Sequence, residues 1–158
     1  MGNEFTLSKQ FCSCRYRLIS AILISYLDYL RLVIIRPILL DEIDTLRQLA
    51  IRTYSAAFAS KNRPGVIEAY YASAFTVPKL TQELEDSNAH WYFASVNSDI
   101  VGYLKLNVDR SQTEFQEHDG IELERIYVDV GNLNKGYGEQ LLNFAISKGR
   151  GLRKKYIW

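Results

Sequence analysis

The chain has 158 residues, a formal net charge of +1, 47% apolar residues and 23% charged residues. That length can bury a full core without a disulfide or a metal, and it suggests one domain with a tail. The near-neutral balance excludes the basic footprint of a nucleic-acid partner, and no stretch approaches the roughly 20 apolar residues that cross a bilayer.

Residues 1–31 differ in character from the rest of the chain. The apolar stretch Leu18 to Leu27 is preceded by Arg15 and Arg17, in the order of a signal peptide, but Asp28 and Arg31 stand where a small-residue cleavage site belongs. Cys12 and Cys14 are the only cysteines. Their spacing suits neither a bridge nor a zinc site, so they read as free thiols in a reducing, cytoplasmic compartment. Gly2 and Thr6 fit the loose myristoylation pattern. The preferred reading of 1–31 is an extension, helical or disordered, ahead of a domain at 32–158.

Leu32 to Pro37, "LVIIRP", predicts a strand. Leu39, Ile43, Leu46, Ala50 and Tyr54 then recur at helical spacing, with Asp41 and Glu42 in the first turn. "NRPG" breaks the chain at Asn62 to Gly65, and "VIEAYYASAF" and "PKLTQELEDS" predict two shorter helices, the second opened by Pro78. The period then changes to two. His90 to Val96 and Ile100 to Asp109 predict a hairpin turning at "NSD", and Ile121 to Val130 predicts a further strand after a polar loop. "YGEQLLNFAISKG" predicts a helix, and "KKYIW" the start of a strand. The order is β-α-α-α-β-β-β-α-β.

"LNKGYGEQLL" joins the fourth predicted strand, Ile121 to Val130, to the last helix. The first amides of a helix have no internal partner, and the dipole favours an anion there. Gly136 and Gly138 allow close approach to the backbone, and Lys135 adds a cation. The loop is not a P-loop, since it lacks G-K-[ST]. It is not a dinucleotide fingerprint either, because Leu141 takes the third glycine's place. A plain turn stays open as the other reading. Glu122 and Glu124 precede the loop and, at period two, share a strand face, alternating with Leu123 and Arg125. They read as a site, or as a salt-bridged strand face.

"IELERIYVDVGNLNKGYGEQLLNFAI" resembles the acetyl-CoA signature of the GNAT superfamily of N-acetyltransferases. Together with "YYASAFTVPKLTQELED" and "IVGYLKLNVD", it resembles more narrowly the Pai-type spermidine/spermine N-acetyltransferases. The resemblance runs from about Leu32 to the end. It implies an α/β fold, a mixed central sheet flanked by helices, and acetyl-CoA as cosubstrate. The loop pattern [Q/R]-x-x-G-x-[G/A] falls on Leu133, Asn134, Lys135, Gly136, Tyr137 and Gly138, whose backbone would hold the pyrophosphate; Leu133 departs from the usual Gln or Arg. Ile126, Tyr127 and Val128 would hold the pantetheine arm by strand-like hydrogen bonds.

The resemblance also implies a small-molecule amine, in the polyamine class, as acceptor. Such an amine has a pKa near ~10.4 and must lose a proton before it attacks, which a carboxylate can accept. Glu122 matches the position of that base, and Glu124 would share the role or bind a second ammonium. Tyr70 and Tyr71 lie on the helix that would flank the acceptor groove, with core packing the preferred reading of both. A non-catalytic module that binds coenzyme A or a partner protein is the alternative.

His90 and His118 have no carboxylates at metal spacing, so no metal is expected. Trp91, Tyr92 and Phe93 read as a strand packed on both faces. The basic run Lys148 to Lys155 reads as cations at a helix C-terminus, with contact to the cofactor's 3′-phosphate as its rival. The family continues beyond "KKYIW" with more strand and a helix that carries a thiolate-protonating tyrosine. The expectation is therefore a truncated chain with an open sheet edge, which invites a homo-oligomer.

Overall fold

The computed structural model describes residues 32–63, 65–116 and 118–158. The extension at 1–31, with Cys12 and Cys14 and the lipidation pattern, lies outside the described residues.

Five strands form one sheet in the order β1-β2-β3-β4-β5: Ile34–Pro37, Ala89–Val96, Asp99–Val108, Gly120–Val128 and Tyr156–Ile157. The first four are antiparallel neighbours, while β5 runs parallel to β4. The sheet is therefore mixed, as expected. Asn97 and Ser98, both at positive φ, make the two-residue turn of the β2–β3 hairpin, whose twist suits antiparallel strands.

Four helices cover the sheet: α1 at Ile43–Phe58, α2 at Val66–Ala74, α3 at Val77–Glu85 and α4 at Tyr137–Gly151. A short 3-10 turn, Leu40–Glu42, leads into α1. Thr76 caps α3 by accepting from the Lys79 amide, and Pro78 occupies its first turn, where the missing N–H costs nothing.

Period two divides the aromatic strand between two cores. Trp91, Phe93 and Tyr103 face Leu46, Leu49, Ala50, Phe75 and Leu80 from α1, α3 and the α2–α3 junction. Tyr92, Leu104, Leu106 and Ile121 face Leu141 and Ala145 of α4. Each fully buried Leu or Ile among them contributes about 1.5–3 kcal/mol, so both sheet faces are fixed by packing.

Two departures from regular pairing shape the site. In β4, Leu123 pairs with Leu106 and Arg125 with Lys105, so Glu124 is an extra residue in a bulge. Beyond Leu123, which donates to Trp158 O at 2.7 Å, β4 has no strand beside it on the β5 side among the described residues.

Candidate active site

The bulge corrects one expectation about β4. Strict alternation sends Arg125 to the face opposite Glu122 and Glu124. The extra residue shifts the phase, and Arg125 lands on the same face as both glutamates. Its guanidinium is buried there between the Phe75 and Trp91 rings, 5.0 and 5.2 Å from their centroids, and its Nε donates to Glu124 Oε1 at 3.0 Å.

The same face carries a buried ionic network. Lys105 Nζ lies 2.5 Å from Glu124 Oε2 and 2.8 Å from Glu83 Oε2 on α3. Asn107 Nδ2 donates to Glu122 Oε2 at 2.8 Å and to Glu124 Oε2 at 2.6 Å. Glu122 is 4% exposed. It also accepts from the Thr113 amide at 2.9 Å and from the Thr113 hydroxyl, so its oxygens are engaged by the β3–β4 loop. Glu124 faces a cleft. Burial would raise its carboxyl, but the charges of Lys105 and Arg125 and the hydrogen bonds from Lys105 and Asn107 outweigh burial and hold it below the ordinary value.

That cleft, of about 410 Å³, is lined by Tyr70, Glu83, Asp86, Lys105, Glu124 and Arg125 among others. Tyr70 stacks on Tyr54 at 4.3 Å between centroids. Tyr71 turns away and shares a hydrogen bond with Ser55. Asp86 accepts from the Ser111 hydroxyl at 2.6 Å, the first cause of its lowered carboxyl pKa.

A second cleft, of about 310 Å³, lies on the other side of the bulge. Thr53, Ala56 and Ala57 of α1 form one wall, Ile126, Tyr127 and Val128 of β4 the other, and Val130 and Leu133 the end. The two alanines leave the width. β3 can approach this stretch of β4 because it carries Gly102, where a Cβ would lie 2.5 Å from Tyr127 O.

The glycine loop starts at the end of this cleft. Gly136 has φ +80° and precedes α4, and Asn134 has φ +60°. Gln140 donates to Gly136 O at 3.2 Å, so the amides of Tyr137, Gly138 and Glu139 open the helix without a helical partner. A Cβ on Gly136 would meet nothing within 4 Å, and one on Gly138 only Val128 Cγ2 at 3.8 Å. The protein itself therefore does not fill the space above the loop. Tyr137 offers only backbone, because its ring is buried in the α4 core. Lys135 Nζ bonds Gly131 O at 2.8 Å and Asn132 Oδ1 at 2.9 Å, stapling the loop.

Other residues fall elsewhere. His90 is half-buried on β2, with burial lowering its pKa. His118 sits on an exposed loop, 2.8 Å from Asp109. Among the described residues no group of acidic, Cys or His side chains could hold a metal. The run Lys148 to Lys155 starts about 18 Å along α4 from Gly136, at 1.5 Å per residue. Lys154 and Lys155 there pair with Asp109 and Asp119. That placement fits the reading of the run as cations at a helix C-terminus. Among the described residues no helix is long and apolar enough to cross a membrane.

Lys105, Asn107, Glu83 and Thr113 escaped the sequence reading, which also placed Arg125 on the wrong face. Lys105 and Asn107 were visible as the polar members of "GYLKLN" at period two, but what they pair with depends on register.

Comparison with known proteins agrees with this geometry. The sequence model of the Acetyltransferase (GNAT) family matches residues 43–158. An uncharacterized N-acetyltransferase encoded in the pepI 3′ region of Lactobacillus delbrueckii subsp. lactis is 34% identical over 106 residues, covering 67% of this chain and 61% of that protein. The chain thus spans less than two thirds of that relative's length. The fold is similar to PaiA N-acetyltransferase from Thermoplasma acidophilum, solved in complex with coenzyme A, with TM-score 0.66, 20% identity and coverage of 76% of this chain and 73% of that one. It is also similar to the aminoglycoside acetyltransferase meta-AAC0020 from an uncultured soil metagenomic sample, solved in complex with sisomicin, with TM-score 0.57, 19% identity and coverage of 80% and 75%. With the family model matched across nearly all of the sheet and helices described above, this chain belongs to the GNAT family of acetyltransferases.

Proposed function

We propose that this chain is an N-acetyltransferase that moves acetyl from acetyl-CoA to a primary amine, in the first instance a polyamine such as spermidine or spermine. One observation carries the reading. Consecutive residues of β4 line two different clefts, Glu124 and Arg125 the charged one and Ile126 to Val128 the apolar one. A donor in the second and an acceptor in the first would meet at the bulge.

The amide-rich pantetheine arm suits the unpaired edge of β4 as an added strand. The pyrophosphate suits the open amides before α4. Asp86 and the ion-paired Glu83 and Glu124 line the cleft with carboxylates that an ammonium would meet. Glu124 takes the amine's proton, through water, so that the nitrogen lone pair can attack the thioester carbonyl carbon. Glu122 stands behind it, joined through Asn107. As the C–N bond forms and the C–S bond breaks, the sulfur leaves as thiolate, and the proton that the new amide nitrogen sheds is the one the thiolate takes up.

The test is thiol release from acetyl-CoA on addition of spermidine, with sisomicin as a second acceptor because amine-bearing sugars occupy a structural neighbour. Acceptor-dependent thiol supports the reading. Coenzyme A binding by calorimetry without thiol release from either acceptor would leave a non-catalytic binding module.

A further inference from the structure

Arg52 lies on α1, next to Thr53 of the apolar cleft, and Asp129 comes directly after the last residue of β4. Their side chains meet in a two-pronged pair: Arg52 Nε donates to Asp129 Oδ1 at 3.0 Å, and Nη2 to Oδ2 at 2.7 Å. The pair is 77 residues apart in sequence. It joins the α1 wall of the cleft to its β4 wall.

Asp129 does three further things. Its amide donates to Val101 O at 2.8 Å, which ends the β3–β4 ladder. Its carboxylate also accepts from the Val130 amide at 2.9 Å, which starts the 3-10 turn Val130–Asn132. Its carbonyl accepts from Asn132 at 2.8 Å within that turn. One residue thus fixes the strand end, the loop start and, through Arg52, the distance to α1. The hydrogen bond from Arg52 is the first cause of the lowered Asp129 carboxyl.

The core under Leu46, Leu49 and Ala50 fixes the inner part of α1 on the sheet, and the Arg52–Asp129 pair ties the two walls at the end of the cleft, where the side chains are small or exposed. The α1 side presents Ala56 and Ala57, which are too short to reach across, and Val130 and Leu133 are exposed at the end. An exposed ion pair contributes little to global stability, a median of about 0–1 kcal/mol, but planar fork geometry fixes a distance and an angle. We propose that the Arg52–Asp129 pair is a positioning latch that holds the α1 wall against the glycine loop and so sets the affinity of the apolar cleft for coenzyme A. The inference rests on the acetyl-CoA reading above.

The experiment is calorimetry of coenzyme A binding at low and high salt to the wild-type chain, Arg52→Met, Asp129→Asn, the double variant and Arg52→Lys. Asn at 129 keeps a side-chain oxygen to accept from Val130, so the turn stays capped. At low salt each single variant is expected to weaken binding roughly fivefold, the double variant no further, and Arg52→Lys less than Arg52→Met because a point charge keeps the attraction without the fork. High salt is expected to narrow the differences, since the pair is exposed. Melting temperatures identify any variant whose loss is general unfolding. Unchanged affinity in both single variants overturns the latch. So does a loss in Arg52→Met alone, which would make Arg52 a direct contact to the ligand, or a double variant whose loss is the product of the singles. If the wild-type chain binds no coenzyme A, the acetyl-CoA reading falls, and the latch with it.

Discussion

Lys105 Nζ lies 2.5 Å from Glu124 Oε2, and the two residues reach that contact from neighbouring strands across the bulge in β4. The lysine side chain is 6% exposed and holds Glu83 as well. The floor of the charged cleft is therefore a paired network, not a set of free carboxylates.

Removing the cation should be costly. Lys105→Met leaves Glu83 and Glu124 buried with one counter-charge fewer, and breaking a buried pair costs about 3–5 kcal/mol. Arg125 and Asn107 still hold Glu124, so a loss at the lower end, about 3 kcal/mol in urea-unfolding free energy, is expected. Lys105→Met combined with Glu124→Gln should recover part of it. A single variant as stable as wild type would contradict the network.

Glu122 and Glu124 should separate in their effects. Glu122→Gln places an amide N–H₂ among donors from Thr113 and Asn107 and should cost about 1–3 kcal/mol of stability. Glu124→Gln should depress turnover most near neutral pH and less as pH rises towards the amine's own pKa, because the base matters least when the amine is already neutral. A turnover loss in Glu124→Gln that is flat across pH would assign positioning instead of proton transfer.

The two loop glycines serve different ends. Gly136→Ala should destabilise the fold by about 1 kcal/mol, because its φ of +80° strains any Cβ. Gly138→Ala should leave the melting temperature unchanged, since its Cβ meets only ordinary contact at 3.8 Å. It should still weaken coenzyme A binding. Equal affinity in a folded Gly138→Ala would reduce the second glycine to a turn residue.

Filling the apolar cleft is a separate check on where the cofactor lies. Ala57→Leu keeps helix propensity and extends a side chain towards β4. Coenzyme A affinity should fall about tenfold, equivalent to about 1.4 kcal/mol, with the far-ultraviolet circular dichroism unchanged. Undiminished affinity would move the ligand out of this cleft.

Acid should unfold the chain through its paired carboxylates. Hydrogen bonding from Arg36 is the largest cause holding Glu42 down to about 2, and Asp86, Asp109 and Asp129 are lowered by Ser111, Lys154 and Arg52 respectively. A folded-state pKa below the unfolded value of about 3.9–4.3 adds stability that is present above that value. It is lost as pH falls through the folded pKa. Urea midpoints should therefore be flat from pH 7 to about 5 and drop from about 4 towards 2, with a smaller drop in Glu42→Gln.

The sequence determined the elements and their order. Apolar residues at helical spacing in Ile43–Phe58, alternation in Ala89–Val108, and glycines at 136 and 138 each act over a few residues, so a local pattern suffices to read them. It also marked Glu122, Glu124 and the loop as chemically exceptional, since carboxylates on a strand beside a helix start are local facts too. Tertiary structure decided the rest. One unpaired residue at Glu124 moves Arg125 to the other sheet face, and a bulge is a property of two strands, not one. The partners Lys105, Glu83 and Thr113 come from three other elements and become neighbours only when β3, α3 and the β3–β4 loop close over β4. For the same reason Glu122 lies engaged behind the cleft while Glu124 faces it. Burial and hydrogen-bond partners are set by packing between distant segments, and a strand's own period cannot report them.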